Sequence, residues 1–131
     1  MLANKWVRLA GVVLWMGLIF FLSAQSQLPD LSPSLSDALQ DVLGHFFAYG
    51  ALALLVCWAL EAFGVRRAPL WTLAFILLYA LSDEFHQSFV PGRHPDIFDI
   101  ATDLVGALVA LAVLAAVRLR RRRPSPRSSQ P

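Results

Sequence analysis

The side chains able to do acid–base or ligand chemistry occur in pairs at helical spacing. Three pairs are separated by four positions: His45 and Tyr49, Asp83 and Gln87, and Asp99 and Asp103. Residues four apart lie on one face of a helix, so both members of a pair point the same way. Together with Glu84 and Arg93, which lie near the second pair in the chain, these pairs predict a polar pocket. We assign these binding residues to it: His45, Tyr49, Asp83, Glu84, Gln87, Arg93, Asp99 and Asp103.

Acid–base catalysis or the binding of polar groups is the chemistry expected of such a pocket. An ionised side chain inside a membrane costs at least ~2.5–3.5 kcal/mol on insertion scales, so it normally faces a cavity or a partner. Arg93 can pair with one carboxylate of the set but not with all four. We therefore predict a perturbed acid–base site. Its catalytic candidates are Asp83, Glu84 or Asp99 as general base, and His45 or a protonated carboxyl as general acid.

Simpler interpretations stay open for the same residues. Asp83 and Asp99 are also what two helix ends in water would carry, and Glu84 is typical of a surface acid. His45 is equally typical of a hydrogen-bonded histidine inside a bundle. Arg93 is also the kind of residue that anchors a helix end at a membrane interface.

Metal ligands and cofactor motifs are not indicated by the spacing. The chain has no His-x-x-x-His sequence and a single cysteine, Cys57, so neither a familiar metal-ligand pair nor an internal disulfide is available. It also has no Gly-rich phosphate loop and no Gly-x-Ser-x-Gly nucleophile motif. A metal site stays an alternative, because suitable ligand types are present in His45, Asp83, Glu84, His86, Asp99 and Asp103. Without a familiar ligand spacing, we expect no bound metal and no cofactor.

Four apolar stretches must position these polar groups. The chain is 57% apolar, with a mean hydropathy of +0.59, which is well above an ordinary soluble domain. A helix of ~20 residues crosses the ~30 Å hydrocarbon core of a bilayer. The predicted fold class is all-α, an integral membrane bundle of four transmembrane helices, with spans near Trp6 to Ala24, Leu43 to Phe63, Ala68 to Val90 and Phe98 to Val117.

Charge alternates between the two ends of these spans. Ten of the eleven Lys and Arg residues fall at the N-terminus, in the middle connection or in the C-terminal tail, and Arg93 is the exception. Because Lys and Arg are retained on the cytoplasmic side, both termini are predicted to be cytoplasmic. The net charge of +2 comes from the tail rather than from a basic surface stripe, so we expect no nucleic-acid partner.

The flanking segments complete the organisation. We assign residues 1–117 to one membrane domain and residues 118–131 to a basic, disordered cytoplasmic tail, whose arginines fix the topology or bind anionic lipid. The segment from Gln25 to Asp41 is predicted to be an external loop with a short surface helix from Ser34 to Gln40. A cleaved signal peptide is the alternative interpretation of the first apolar stretch.

A longer pattern runs through the same residues. Its parts are Asp83-Glu84-Phe85-His86-Gln87-Ser88-Phe89-Val90-Pro91-Gly92-Arg93, then Asp99, then Asp103-Leu104-Val105-Gly106, with His45-Phe46-Phe47-Ala48-Tyr49 and Ser23-Ala24-Gln25-Ser26 upstream. This pattern resembles the VanZ-like family of small bacterial membrane proteins over nearly the whole chain apart from the tail. Two positions depart from it, because Asp103 stands where that family usually has Asn, and Val42 where it often has Lys.

The resemblance implies a retained first span and a multi-pass protein of the bacterial cytoplasmic (inner) membrane. Through a founding member it also implies a link to low-level resistance to teicoplanin, a lipid-bearing glycopeptide. We expect the pocket to face outward and to recognise an envelope lipid or lipoglycopeptide, with Arg93 positioning phosphate or carboxylate and the carboxylates binding amines or hydroxyls. One alternative is a membrane-embedded hydrolase or transferase acting on an envelope lipid by carboxylate and histidine chemistry. A second is a small proton-linked transporter.

Overall fold

Four α-helices make up the described part of the chain in a computed structural model. The structure describes residues 2–26 and 36–122, with side chains from residue 5 onward. The helices are α1 (Leu2–Ser23), α2 (Asp37–Ala62), α3 (Ala68–Gln87) and α4 (Ile97–Arg122). Those two ranges contain no strand, so the all-α prediction is confirmed for them.

Each of the four helices is long and apolar enough to cross a membrane. α3 has 20 residues, and at ~1.5 Å per residue it matches the ~30 Å hydrocarbon core. As predicted, the third helix continues past its apolar part and includes Asp83, Glu84 and Gln87, although it ends before Val90. These polar residues therefore belong to a membrane-spanning helix rather than to the following loop.

α2 begins earlier than the sequence predicted. It starts at Asp37 rather than near Leu43, because Ser36 caps its first turn and its side chain accepts the backbone N–H of Leu39 at 3.4 Å. The prediction of a separate surface helix from Ser34 to Gln40 is therefore wrong for the part from Asp37 onward, because those residues already belong to α2. Ser34 itself lies outside the described residues. The consequence is that Asp41 lies one turn before His45 on one continuous helix.

α4 extends beyond the predicted end of its apolar stretch. It is helical through Arg122, so residues 118–122, which the sequence assigned to a disordered tail, continue the helix. With 26 residues it is ~39 Å long, which carries its last turns past the hydrocarbon core. The rest of the predicted tail lies outside the described residues.

The bundle is organised around α2. This helix packs most extensively along α4 and also contacts α1 and α3, whereas α1 and α3 touch each other less. A Cβ on Gly106 would collide with the backbone carbonyl of Phe46, and one on Gly50 would lie 3.2 Å from the carbonyl oxygen of Gly106. Two glycines thus let α2 and α4 approach closely, as small residues do between membrane helices. In the sequence, the small residues Gly106 and Ala110 follow Asp103 on one side of the helix and predict that this side is the packing face of α4. The burial of Asp103 and Gly106 confirms this prediction.

α1 is joined to the bundle by two side-chain hydrogen bonds near its middle. Trp15 Nε1 donates to the carbonyl oxygen of Ala48 at 2.8 Å. The Tyr79 hydroxyl donates to the carbonyl oxygen of Met16 at 2.7 Å. These bonds attach α1 to α2 and to α3, so the first span is an integral part of the described fold.

The bundle has two chemically different ends. At one end of the bundle, α1 and α3 end and α2 and α4 begin; we call this the acidic end. We call the opposite end the basic end. Large apolar side chains are exposed around the bundle, among them Phe21, Phe47, Phe85, Phe89 and Phe98, each at least 62% exposed. Such extensive exposure of apolar side chains is expected of helices that face lipid rather than water.

At the basic end, Glu61 and Arg118 form an ion pair that the sequence did not predict. The guanidinium donates to both carboxylate oxygens, at 2.5 and 2.9 Å. From its place in the sequence near Arg66 and Arg67, Glu61 is expected to be a solvated acid. It faces α4 instead, because α4 stays helical through Arg118 and brings the guanidinium to the end of α2.

Breaking this pair is expected to have a small effect. Because Glu61 and Arg118 are 32% and 43% exposed, Glu61→Gln should lower the free energy of unfolding by about 1 kcal/mol or less. Denaturant titration in detergent micelles measures it, with Arg118→Gln and the double variant as matched controls, and the double variant should be no less stable than either single one. A loss of ~2–5 kcal/mol, the size of a core cavity, would contradict this assignment.

Candidate functional site

Asp83 is the point where three helices exchange hydrogen bonds at the acidic end. Its Oδ2 accepts from the Ser23 hydroxyl at 2.8 Å, from the Tyr49 hydroxyl at 3.1 Å and from Gln87 Nε2 at 3.4 Å. These donors come from the end of α1, from α2 and from α3 itself. The second carboxylate oxygen, Oδ1, is buried and has no hydrogen-bond partner among the described residues. Asp83 is therefore both a junction between helices and an acceptor with unused capacity.

His45 lies between two carboxylates of α4. Its Nδ1 is 2.9 Å from Oδ1 of Asp103, which is 1% exposed. When the Asp103 carboxylate is ionised it can only accept, and Nδ1 then donates this hydrogen bond. The other ring nitrogen, Nε2, is 4.0 Å from Oδ2 of Asp99, which is too long for a hydrogen bond. Asp103 thus fixes the ring, and Nε2 is left without a hydrogen bond to the described residues.

Arg93 reaches back to the rim of the acidic end. The sequence Pro91-Gly92 favours a tight turn. This turn is present: Gly92 has a φ of +81°, and the backbone N–H of Arg93 donates to the carbonyl oxygen of Val90 at 3.1 Å. From this turn the Arg93 side chain donates through Nε to the carbonyl oxygen of Gln25 at 3.1 Å and through a terminal nitrogen to Asp41 at 3.4 Å. Part of its donor capacity is thus already used to hold the start of α2 and the end of α1.

A recess opens between these side chains. Its volume is about 440 Å3, counted with its open mouth, and its lining combines apolar with polar residues: Ile19, Leu22, Ser23, Asp41, Gly44, His45, Ala48, Tyr49, Asp83, Gln87 and Arg93. The apolar residues come from α1 and α2, and α3 contributes the buried Asp83 junction. An amphipathic molecule is the kind of ligand that matches such a mixed lining.

Glu84 lies outside the lining of the recess. It is 5% exposed, and its Oε2 accepts the backbone N–H of Asp96 at 2.7 Å, which fastens the loop before α4 to the end of α3. Its Oε1 is buried with no partner among the described residues. The alternative in which Glu84 is a surface acid is therefore wrong. The alternative in which Asp83 is a solvated helix-end residue is also wrong, since Asp83 is only 4% exposed.

The other two histidines play different parts. His86 stacks on Phe20 with ring centroids 4.0 Å apart, and its Nδ1 is buried without a hydrogen-bond partner among the residues described. His94 lies in the loop before α4 and is exposed. Neither histidine lines the recess.

The structure brings together most of the side chains assigned to the pocket. Five of them line the recess: His45, Tyr49, Asp83, Gln87 and Arg93. Asp99 and Asp103 approach His45 from α4, and Glu84 faces the loop around Asp96 instead. Asp41 was not assigned to the pocket, although its spacing of four from His45 is the signal that indicates it.

Charge at the acidic end is unbalanced among the groups described. Asp41, Asp99 and Asp103 surround His45, and the nearest guanidinium, that of Arg93, contacts only Asp41. Asp103 is hydrogen-bonded to His45 and Asp41 to Arg93, so Asp99 is the carboxylate without a close partner among these groups. A carboxylate shielded from water gains from a ligand that carries positive charge or several hydrogen-bond donors.

The VanZ/LLP1 family model matches residues 9–118. An uncharacterized protein of Schizosaccharomyces pombe is 33% identical over 90 residues, which cover 69% of this chain and 56% of the relative. The chain thus spans little more than half the length of that relative. No solved structure matches.

The relative comes from a yeast, so family membership by itself implies neither a bacterial source nor a role in antibiotic resistance. The family match covers all the described residues that line the recess and those that approach it from α4. It also covers most of the four apolar helices. This chain is a multi-pass membrane protein that belongs to the VanZ/LLP1 family.

Proposed function

We propose that the protein recognises the polar headgroup of an amphipathic molecule in the membrane, and that the recess at the acidic end faces away from the cytoplasm. The apolar wall contributed by Ile19, Leu22 and Ala48 would contact the first carbons of an acyl chain. The carboxylates would bind amine or hydroxyl groups of the head. An envelope lipid and a lipoglycopeptide both have this amphipathic character.

The observation that carries this proposal is the unused oxygen of Asp83. A buried acceptor without a partner destabilises a protein by ~1–3 kcal/mol, more when it is charged. Asp83 lines the recess, and its Oδ1 has no partner among the described residues. An N–H or O–H donor on a ligand in the recess would supply that missing bond.

Arg93 has a smaller part in this proposal than the sequence predicted. Two of its nitrogens are engaged by Gln25 and Asp41, so its main effect is to hold the rim of the recess in place. A phosphate beside the amine would contact Arg93 at the mouth, whereas the amine would lie deeper, next to Asp83. The site is therefore expected to favour headgroups that donate hydrogen bonds over headgroups that carry phosphate alone.

Lipid binding by the purified protein tests the proposal. We expect labelled phosphatidylethanolamine, whose ammonium donates hydrogen bonds, to bind at least about tenfold more tightly than phosphatidylcholine, whose ammonium has no N–H; tenfold corresponds to ~1.4 kcal/mol. Competition by teicoplanin for the bound lipid tests whether a lipoglycopeptide occupies the same recess. Asp83→Asn should weaken phosphatidylethanolamine binding about tenfold or more, because hydrogen bonds to charged groups contribute ~1.5–3 kcal/mol.

Asp37→Asn is the matched control, since Asp37 is an exposed acid at the same end that does not line the recess. It should bind both lipids as the unaltered protein does. Equal binding of the two phospholipids, unchanged by Asp83→Asn, would refute the proposal.

One contact favours a second candidate, acid–base catalysis on the bound molecule. His45 is oriented by Asp103 in the way that a carboxylate orients a catalytic histidine, and Nε2 is left without a hydrogen bond to the described residues. Incubation with labelled lipids separates the two candidates. Product that is lost in Asp83→Asn while binding persists would favour the enzyme, and tight binding without product would favour recognition.

Proton-linked transport is the weakest candidate. A relay needs ionisable groups along the whole span. Between the acidic end and Glu61, the described helices carry no carboxylate, and Glu61 is already paired with Arg118. The recess is therefore better suited to binding than to conduction.

A further inference from the structure

We propose that Asp41, His45 and Asp99 form a binding site for a divalent transition-metal ion at the acidic end. One ligand atom can be chosen from each residue so that all three lie within 4.8 Å of one another. Asp41 and His45 are one turn apart on α2, and Asp99 lies in the first turn of α4. The three residues therefore belong to two helices that the Gly106 contact holds at a fixed separation.

The orientation of His45 is the observation that points to a ligand. The side chain is nine-tenths buried, at 10% exposure, and its Nδ1 is taken by Asp103 at 2.9 Å. This is the arrangement in which a carboxylate fixes the tautomer of a metal-binding histidine and leaves Nε2 with its lone pair available. Nε2 makes no hydrogen bond to the residues described and faces Asp99 across a gap of 4.0 Å.

The gap between Nε2 and Asp99 is too long for a hydrogen bond and close to the separation of two ligands of one ion. Zn2+ binds histidine nitrogen and carboxylate oxygen at ~2.0–2.2 Å in tetrahedral geometry, which places two ligand atoms ~3.4 Å apart. From the observed 4.0 Å, a side-chain movement of about half an ångström brings the two atoms to that separation. Asp41 is 36% exposed, so its carboxylate has the freedom to rotate the remaining distance toward the ion.

The surrounding groups support a cation at this point. Three carboxylates, those of Asp41, Asp99 and Asp103, lie around one imidazole. The Arg93 guanidinium, 3.4 Å from one oxygen of Asp41, is the opposing charge. It acts as an outer hydrogen-bond donor to a ligating carboxylate, a role that such residues commonly have around metal sites.

The donor set decides the class of ion. Imidazole nitrogen is a preferred ligand of Zn2+ and other first-row transition metals, whereas Mg2+ and Ca2+ prefer oxygen alone. One nitrogen and two carboxylates therefore favour Zn2+ or Mn2+. Three protein ligands also leave a coordination position open on the side of the recess, since Asp41 and His45 line it. This inference departs from the expectation, drawn from sequence spacing, that the chain holds no metal.

Metal binding by the full chain in detergent tests the inference. The protein is freed of its purification tag, treated with chelator and titrated with Zn2+ or Mn2+ by calorimetry, with Mg2+ as the control ion. We expect one transition-metal ion per chain and a rise in unfolding temperature on binding. Asp99→Asn and His45→Gln should each weaken binding ~10-fold or more, and Asp103→Asn ~10–100-fold, because outer partners of ligating histidines have effects of that size.

His94→Gln and Asp37→Asn are the matched controls, because both residues are exposed at the same end and belong to neither the cluster nor the recess. They should bind the ion as the unaltered protein does. Absence of binding, or equal binding by the controls and the Asp99→Asn variant, would overturn the inference. No lipid is present in this titration, so its outcome is separate from that of the headgroup proposal, and either one can fail alone.

Discussion

Gly106→Ala is expected to destabilise the protein by more than any exposed substitution, with a loss of about 3 kcal/mol or more. Adding methylene groups to a packed core typically costs ~1–3 kcal/mol when side chains can move aside. Here the new Cβ meets the carbonyl oxygen of Phe46, with the carbonyl carbon at 3.0 Å and the Cα at 3.1 Å. These are backbone atoms of α2, so relief requires the two helices to separate.

The separation should also disturb the acidic end, because Asp99 and Asp103 lie on α4 and His45 on α2. Thermal or denaturant unfolding in detergent micelles measures the loss. Gly17→Ala is the matched control, since a Cβ on Gly17 has nothing within 4 Å, and in a helix Ala is favoured over Gly by up to ~1 kcal/mol. If Gly106→Ala were as stable as Gly17→Ala, the close crossing of α2 and α4 would be wrong.

Asp83→Leu is expected to have the second-largest effect on stability. The substitution removes one oxygen that accepts hydrogen bonds from Ser23, Tyr49 and Gln87. Each buried donor left unpaired costs ~1–3 kcal/mol, so a total loss of about 3 kcal/mol or more is expected. Because Ser23 and Tyr49 belong to α1 and α2, the loss loosens the contact between three helices.

The Asp83→Asn variant distinguishes the contribution of the hydrogen bonds from the contribution of the negative charge. Its amide oxygen can still accept, so it should retain more stability than Asp83→Leu while losing the affinity that depends on a carboxylate. Unfolding in detergent compares the two variants with Asp37→Asn, an exposed position. Equal and small losses for Asp83→Leu and Asp37→Asn would show that the junction contributes little to the fold.

Much of the architecture follows from the sequence, because few folds are compatible with four long apolar stretches whose ends carry opposite charge. Period-four spacing also indicated that His45 and Tyr49 share a face, and the structure places both on the wall of one recess. The burial of Asp103 beside Gly106 followed from the small residues of α4. These features are local in sequence, or depend on properties that repeat along one helix.

The remaining features depend on contacts between distant parts of the chain. Asp41 was left out because α2 was expected to begin near Leu43, and only the Ser36 cap places it on the same helix as His45. Glu61 forms an ion pair with Arg118 because α4 continues past its apolar part. The choice of Asp103 rather than Asp99 as the close partner of His45 also depends on the register of two helices, which no spacing within one helix determines.

The Asp83 junction has a consequence for the order in which the chain is assembled. During synthesis Ser23 and Tyr49 leave the ribosome well before the acceptor that they share, which belongs to the third helix. Until that helix has been inserted, the first two carry polar hydroxyls in lipid without their final partner. The hydrogen-bonded junction between the first three helices therefore forms only after the third helix has been inserted.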